Sequence, residues 1–255
     1  MLWTASGLTD YSVIATDGHL GTVSDFLFDD HTWQIRWLVV DTGHWLPGRK
    51  VLLPPAVLGH PNPAQHEFAV RLTKQQIKDS PDILSDRPVS RQEETNIYGY
   101  YGWRPYWDNS FFMGGYGYVG DDWIGATADQ REREIARSRL NDGDPHLRSV
   151  AEVIGYHIHA TDGEIGHVQN FLIEDTDWAI RFLVADTKNW WPGQHVLISP
   201  ASAATIDWTQ GLMNLTVDRQ VVKDSPVYDA ATTVDQAYER RLNSYYSDIG
   251  MAGRL

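Results

Sequence analysis

Hydrophobic and polar residues alternate along several short stretches of the chain, which is the period of a β-strand with one buried face. Turn signals separate these stretches, and the clearest is Asp17-Gly18, a pair that readily adopts the positive φ of a tight hairpin. A short helix is predicted at Thr73–Lys78. The predicted strands are Tyr11–Thr16, Leu20–Phe28, Trp33–Asp41, Lys50–Leu53 and Glu67–Leu72. Short strands at this close spacing predict a small β-barrel.

The whole pattern recurs 145 positions later. Without a gap, Tyr11–Gly102 aligns with Tyr156–Ser247, and 34 of the 92 aligned residues are identical. Such self-similarity is typical of a duplicated domain. The second set of predicted strands is Gly155–Thr161, Glu164–Ile173, Trp178–Asp186, His195–Ile198 and Leu212–Val217. We therefore predict a mainly β fold with two small barrels in tandem.

Helical patterns follow each predicted barrel. Ser90 with Glu93 three residues later is a capping-box signal, and the polar stretch Thr127–Leu140 predicts a connecting helix. Four residues near the C-terminus share one helix face and are expected to pack on a barrel or on the other copy: Tyr238, Leu242, Tyr245 and Ile249. The predicted division is a first barrel at 1–85, a helix, Tyr/Gly-rich linker and connecting helix at 86–145, a second barrel at 146–230, and a C-terminal helix and tail at 231–255.

Three linked motifs appear in both copies. They read D-G-x-(I/L)-G-x-V-x-x-F-L from Asp17 and from Asp162, then W-x-I-R-x-L-V-x-D-T, then W-x-P-G-x-x-V-L-(I/L)-x-P. This pattern resembles the PRC-barrel family, which includes the cytoplasmic domain of the photosynthetic reaction-centre H subunit and a ribosome-maturation factor. The resemblance implies two PRC-type β-barrels that serve as an assembly or docking module, with no shared catalytic residues.

The net charge of the chain argues against a nucleic-acid partner. The chain has 21 basic and 34 acidic residues, a net charge of −13, and the acidity is even: 9 basic and 15 acidic residues precede position 127, and 12 and 19 follow. An evenly acidic surface repels phosphate backbones, so no nucleic-acid partner is expected. The absence of cysteine excludes thiolate nucleophiles and disulfides and fits a reducing compartment. With no signal-peptide pattern and no long apolar run, we expect a soluble, cytoplasmic protein without a cofactor.

One motif suggests an enzyme. Asp41-Thr42-Gly43 follows an apolar strand, as in aspartic proteases, and Asp186 takes the matching position of the second copy. Two carboxylates that shared a proton would divide acid and base roles. However, Lys188 replaces the glycine in the second copy. The favoured interpretation is that each aspartate ends a strand and caps its own turn.

A second candidate is a metal site. His157 and His159 lie two residues apart on a predicted strand and share a face, and His167 lies on the next strand. Imidazoles at this spacing can bind a metal ion. Against this, no carboxylate has an obvious ligand spacing, and the first copy has Ser12, Ile14 and Thr22 at the matching positions.

The stretch Tyr98–Gly120 holds six Tyr, two Trp, two Phe and six Gly. One interpretation is a linker that packs back on the barrels. The alternatives are a protein-docking surface, a sugar- or base-stacking surface, or a membrane-interface contact. The candidate partner-binding residues are Tyr98, Tyr100, Tyr101, Trp103, Tyr106, Trp107, Phe111, Phe112, Tyr116 and Tyr118.

These observations predict a non-enzymatic adaptor that binds a protein partner. An accessory of a membrane photosynthetic or electron-transfer complex, comparable to the reaction-centre H subunit, is one alternative, and it would dock peripherally. An acid hydrolase that uses Asp41 and Asp186 is another. The sequence leaves the partner and the oligomeric state, including a homo-oligomer, open.

Overall fold

The protein is mainly β, with two sheets and a few short helices. A computed structural model describes residues 1–43, 46, 49–81, 91–106, 146–187, 195–229 and 236–246. The strands are β1 Leu2–Thr4, β2 Ser12–Ala15, β3 Gly18–Asp29, β4 Gln34–Asp41, β5 Lys50–Leu53, β6 Glu67–Ala69, β7 Leu147–Ser149, β8 His157–Ala160, β9 Gly163–Glu174, β10 Ile180–Asp186, β11 His195–Ile198, β12 Ala203–Asp207, β13 Leu212–Leu215 and β14 Val227–Tyr228. The helices are α1 Ala5–Leu8, α2 Lys74–Lys78, α3 Arg91–Tyr101, α4 Val150–Val153, α5 Arg219–Asp224 and α6 Gln236–Tyr246, and 3-10 turns lie at Pro55–Val57 and Pro200–Ser202.

The elements recur with the same offset of 145 residues as the sequence. β1 begins at Leu2 and β7 at Leu147, while α3 and α6 end at Tyr101 and Tyr246. We call residues 1–106 the first copy and residues 146–246 the second copy. The predicted connecting helix at 127–140, Ser90 and Ile249 lie outside the described residues.

Each copy contributes one sheet, and the two sheets have the same central order. The first runs β5-β4-β3-β2-β6, and the second runs β12-β13-β8-β9-β10-β11-β14. β2 and β6 are parallel, as are β8 and β13, while the other pairs are antiparallel. The predicted hairpin at Asp17-Gly18 forms, and the φ of +130° at Gly18 favours glycine there.

The first strand of each copy joins the sheet of the other copy. β1 pairs with β9, with Leu2 opposite Glu174, and β7 pairs with β3, with Leu147 opposite Asp29. The short helix after each strand follows it, so α1 contacts β9 and α4 contacts β3. The two copies are therefore interleaved rather than merely adjacent.

Burial follows this interleaving. One continuous apolar core contains residues of both copies, including Phe28 and Phe171, whose ring centroids lie 5.9 Å apart. On the outer face of the first sheet, α3 buries Ile97 against Trp37. On the second sheet, α6 buries Leu242 against Phe182 in the same way. This packing matches the prediction for the face of α6. No helix in the described ranges has both the length and the hydrophobicity to cross a membrane.

Two glycines are required by a close backbone approach. A Cβ on Gly21 would overlap the carbonyl oxygen of Asp41, and one on Gly166 would overlap that of Asp186. Because these oxygens belong to the paired strand, a larger residue must displace the backbone. By contrast, a Cβ on Gly99, in α3, meets no atom within 4 Å.

We predict that Gly21→Ala destabilises the fold by about 2 kcal/mol or more, since overpacking against the backbone forces it to shift. The control Gly99→Ala should stabilise the protein slightly, by about 0.5–1 kcal/mol, because alanine favours the helix. Urea unfolding measures both free energies. Equal stability of the two variants would contradict the close approach at Gly21.

Candidate functional site

The two copies meet at a junction formed by their equivalent β3–β4 and β9–β10 turns. Gln34 and Ala179 form an antiparallel bridge. The amide of Ile35 donates to the carbonyl oxygen of Trp178 at 2.8 Å, and the amide of Ile180 donates to that of Trp33, also at 2.8 Å. Backbone hydrogen bonds therefore join the turns in a pseudo-twofold arrangement.

A tryptophan in each turn packs into this junction. Trp33 and Trp178 have φ values of 56° and 60°, a left-handed conformation that costs a non-glycine residue roughly 1–2 kcal/mol. Trp178 is 6% exposed, and its ring lies 5.9 Å from that of Phe68 in the first copy. Trp33 stacks on Phe28 at 5.4 Å. Burial of these large rings offsets the backbone strain.

In the first copy, a turn aspartate holds the strand that arrives from the second copy. Asp30 accepts from the Arg148 Nε at 3.2 Å through one oxygen. Its other oxygen lies 2.9 Å from the His31 Nδ1 and 3.1 Å from the His146 Nδ1. We call Asp30, His31 and His146 the histidine–aspartate cluster. The Asp30 side chain is 8% exposed, whereas both imidazoles face solvent.

The equivalent aspartate of the second copy has different partners. Asp175 accepts from the Met1 amine at 2.6 Å and from the Trp3 Nε1 at 3.1 Å, and the His60 Nδ1 lies 3.3 Å away. Burial alone would raise the pKa of Asp175, but these hydrogen bonds and the charge of the amine outweigh it and lower that pKa. Offset by 145 residues, Met1 and Trp3 occupy the places of His146 and Arg148. The anchoring position is therefore shared, while its chemistry differs.

A second pair of side chains caps the exchanged helices. Asp25, on β3, accepts from the Ser149 hydroxyl at 2.5 Å and from the Ala151 amide at 3.0 Å, at the start of α4. Asn170, at the matching position of β9, accepts from the Ser6 amide at 3.2 Å, at the start of α1. Both side chains satisfy amides at a helix N-terminus.

Beside the junction lies a cleft of about 630 Å³. Its walls come from both copies: the β3–β4 turn on one side and β10 with the Pro200–Trp208 segment on the other. Trp208 lines this cleft, and the Arg148 Cζ lies 4.2 Å from the centroid of the Trp208 ring. Asp30 and His31 line the same cleft, so these two members of the histidine–aspartate cluster are accessible from it.

Comparison with protein families identifies part of this architecture. The family model described as PRC-barrel domain matches residues 4–65. A PRC-barrel domain is therefore found at residues 4–65. At a coarse level, a PRC-barrel domain suggests a protein-interaction or assembly module, and the family is generally non-catalytic. No curated protein matches the chain.

The proposed protease-like pair does not form a dyad. Asp41 and Asp186 end strands β4 and β10, which begin side by side at the Gln34–Ala179 bridge and run in opposite directions. Strands advance about 3.3 Å per residue, so the two carboxylates lie at opposite ends of the junction. Asp41 instead accepts from the Gly43 amide at 2.8 Å, which is the turn cap that was favoured.

The structure places two of the three predicted metal histidines opposite each other and separates the third. His157 lies opposite His167 across β8 and β9, and its Nδ1 is 3.3 Å from a Glu164 oxygen, while His159 lies opposite Glu164. His167 lies 4.0 Å from an Asp186 oxygen. Among the described residues, the ligand atoms that lie within 4.8 Å of one another belong instead to the histidine–aspartate cluster. Metal binding at His157, His159 and His167 stays a prediction.

The described part of the aromatic stretch packs back on the first sheet. Tyr98 is 6% exposed, with its ring 5.1 Å from Trp37, so burial removes Tyr98 from any docking surface. Tyr106 lies over the Arg36 guanidinium at 4.0 Å, and its hydroxyl donates to the Glu94 carboxylate at 3.3 Å. These contacts correct the inclusion of Tyr98 in a partner surface.

The remaining described aromatic side chains form a ledge at the end of α3, which we define as Tyr100, Tyr101, Trp103 and Tyr106. Tyr101 and Trp103 stack at 4.0 Å with an interplanar angle of 10°. Tyr100 is 43% exposed. Five further candidates lie outside the described residues: Trp107, Phe111, Phe112, Tyr116 and Tyr118.

Buried Glu94 was missed by the sequence reasoning. It is 0% exposed and accepts from the Trp37 Nε1 at 2.6 Å. The histidine–aspartate cluster was missed as well, because His31 and His146 are far apart in the chain. A comparison of the two copies could have indicated it, because both histidines are specific to one side of the repeat: Thr176 matches His31, and Met1 matches His146.

Asp25 makes stability depend on pH. Burial raises the pKa of its carboxyl above the ordinary value of 3.8, and the hydrogen bonds from Ser149, Ala151 and Phe26 and the charge of Lys50 offset only part of that rise. A raised pKa means that the protonated carboxyl is favoured in the fold. The stabilisation that the protonated Asp25 carboxyl contributes is therefore complete below about pH 3.8, and it is lost as the pH rises through the folded-state pKa.

We predict that Asp25→Asn removes this loss. Asparagine does not ionise and keeps an acceptor for the same amides, as Asn170 shows at the matching position. The variant's free energy of unfolding, relative to wild type, should therefore increase as the pH rises from about 3.8 through the folded-state pKa of Asp25. Urea unfolding at several pH values measures it. The matched variant Asn170→Asp should show the opposite trend, and parallel pH profiles for all three proteins would contradict this assignment.

Proposed function

We propose that the protein is a non-enzymatic adaptor built from two PRC barrels, with the second copy as the second barrel, and that the ledge docks a protein partner. The matched PRC-barrel domain supports an assembly role. The recurrence of the elements at an offset of 145 residues supports a second barrel of the same kind.

The observation that carries the docking proposal is an asymmetry between two equivalent helices. The Tyr100 hydroxyl donates to the Gln76 carbonyl at 3.0 Å, and Tyr245 makes the equivalent bond to Val221 in the second copy. After α3 the first copy has Trp103 and Tyr106, whereas the second copy has Asp248 and Met251 at the matching positions. Only the first copy therefore combines this helix end with the ledge.

The ledge has properties suited to protein recognition. Aromatic rings bury a large area and lose little side-chain entropy on binding. The ledge is also held in place, because Tyr101 stacks on Trp103 and Tyr106 is fixed by Arg36 and Glu94. A pre-organised surface of this kind lowers the entropic cost of association. The net charge of −13 disfavours nucleic acid as the partner.

We predict that a photo-cross-linking residue at position 100 captures a partner, whereas the same residue at position 245 does not. The two tyrosines make equivalent hydrogen bonds, so the variants differ chiefly in the surface that surrounds them. Cross-linking in the native organism, with soluble and membrane fractions analysed separately by mass spectrometry, identifies the partner. A partner in the membrane fraction would favour the accessory role in a membrane complex.

The affinity for the purified partner then tests the ledge directly. Trp103→Ala should weaken binding by at least about tenfold, as expected for a central aromatic anchor. Tyr245→Ala provides the control and should bind as wild type does. Cross-linking at both positions alike, or unchanged affinity of Trp103→Ala, would contradict docking through the ledge.

A further inference from the structure

We propose that the histidine–aspartate cluster, Asp30, His31 and His146, binds one divalent transition-metal ion of the zinc type at the junction of the two copies. The three residues come from two places that the strand exchange brings together. Asp30 and His31 lie in the β3–β4 turn, and His146 directly precedes β7, which pairs with β3.

The ligand atoms already converge. The Nδ1 atoms of His31 and His146 lie 2.9 Å and 3.1 Å from the same oxygen, Oδ1 of Asp30. All three ligand atoms lie within 4.8 Å of one another. In a tetrahedral site with bonds of about 2.1 Å, neighbouring ligand atoms are about 3.4 Å apart. The set can therefore close on an ion through small rotations of two exposed side chains.

A neighbouring side chain orients the carboxylate of the cluster. The Arg148 Nε binds Oδ2 of Asp30 at 3.2 Å, which fixes the carboxylate and directs Oδ1 toward the two imidazoles. A partner that orients a ligand in this way is a usual part of metal sites. The imidazoles now meet edge to face with centroids 4.0 Å apart, and they would turn slightly away from each other to bind one ion.

The donor set indicates which ions fit. Two imidazoles and one carboxylate suit Zn²⁺, Ni²⁺ or Cu²⁺, whereas Mg²⁺ and Ca²⁺ prefer sites made of oxygen ligands. The side chains of His31 and His146 are 67% and 47% exposed. Three protein ligands in such a position leave coordination sites open to water or to a group bound in the adjoining cleft.

The second copy provides an internal comparison. At the matching positions, Asp175 keeps the carboxylate, but Thr176 and Met1 replace the two histidines. His60 reaches the same carboxylate from another segment, at 3.3 Å, and its side chain is 72% exposed. One histidine beside an aspartate does not make a three-ligand site, so His60 serves as the matched control.

Calorimetric titration of the untagged full chain with Zn²⁺ tests the proposal. We expect one ion per chain for the wild type and for His60→Ala. His31→Ala and His146→Ala should each bind at least about tenfold more weakly, since loss of a ligand costs no less than loss of a supporting residue. Mg²⁺ and Ca²⁺ should not compete.

Thermal unfolding gives a second readout that does not depend on the heat of binding. Because the ion would tie the turn to the exchanged strand, Zn²⁺ should raise the Tm of the wild type and of His60→Ala but not that of His31→Ala. Circular dichroism of the metal-free variants checks that they fold. The absence of stoichiometric Zn²⁺ binding, or wild-type affinity in both His31→Ala and His146→Ala, would overturn the proposal.

Discussion

The first strand of each copy pairs with the sheet of the other copy, and the rest of the structure depends on this strand exchange. β1 and β7 have three residues each, which is too short to be stable alone, yet each is fixed by backbone pairing, by a helix cap and by a turn aspartate. Trp178 adds its ring to the core of the first copy. Because neither sheet is complete without the other copy, the two must keep one relative orientation.

A fixed pseudo-twofold frame makes the differences between the copies informative. At Asp30 and Asp175 the anchoring carboxylate is the same, but two histidines and an arginine contact one, whereas an amine, an indole and one histidine contact the other. At α3 and α6 the buried face is shared, with Ile97 matched by Leu242. Only α3 leads into an aromatic segment. Residues that are alike in the two copies maintain the fold. We assign metal binding and partner binding to positions where the two copies differ.

Local features of the fold could be predicted from the sequence, because they depend on short-range chemistry. The strand predicted at Trp33–Asp41 is Gln34–Asp41, and the helix predicted at Thr73–Lys78 is Lys74–Lys78 with Thr73 as its cap. The strand exchange could not be predicted. β1 and β7 have only three residues each, which is too few to show an alternation of hydrophobic and polar positions. The strands with which they pair lie more than a hundred residues away in the sequence.

The same limit applies to the candidate sites. Alternation correctly indicated that His157 and His159 occupy the same strand, but it could not show that Glu164 would lie opposite His159. The histidine–aspartate cluster depends on the exchange itself, so no local pattern contains it. The aromatic composition allowed either packing on the barrels or a binding surface, and the burial of Tyr98 depends on Trp37 of a distant strand.

Differential scanning calorimetry of the full chain measures whether the two copies unfold together. Interleaved sheets with a common core should unfold as one cooperative unit, even though the sequence contains two copies. We predict a single transition in which the ratio of calorimetric to van't Hoff enthalpy is about 1. Two transitions, or a ratio of about 2, would show that the copies unfold independently and would contradict it.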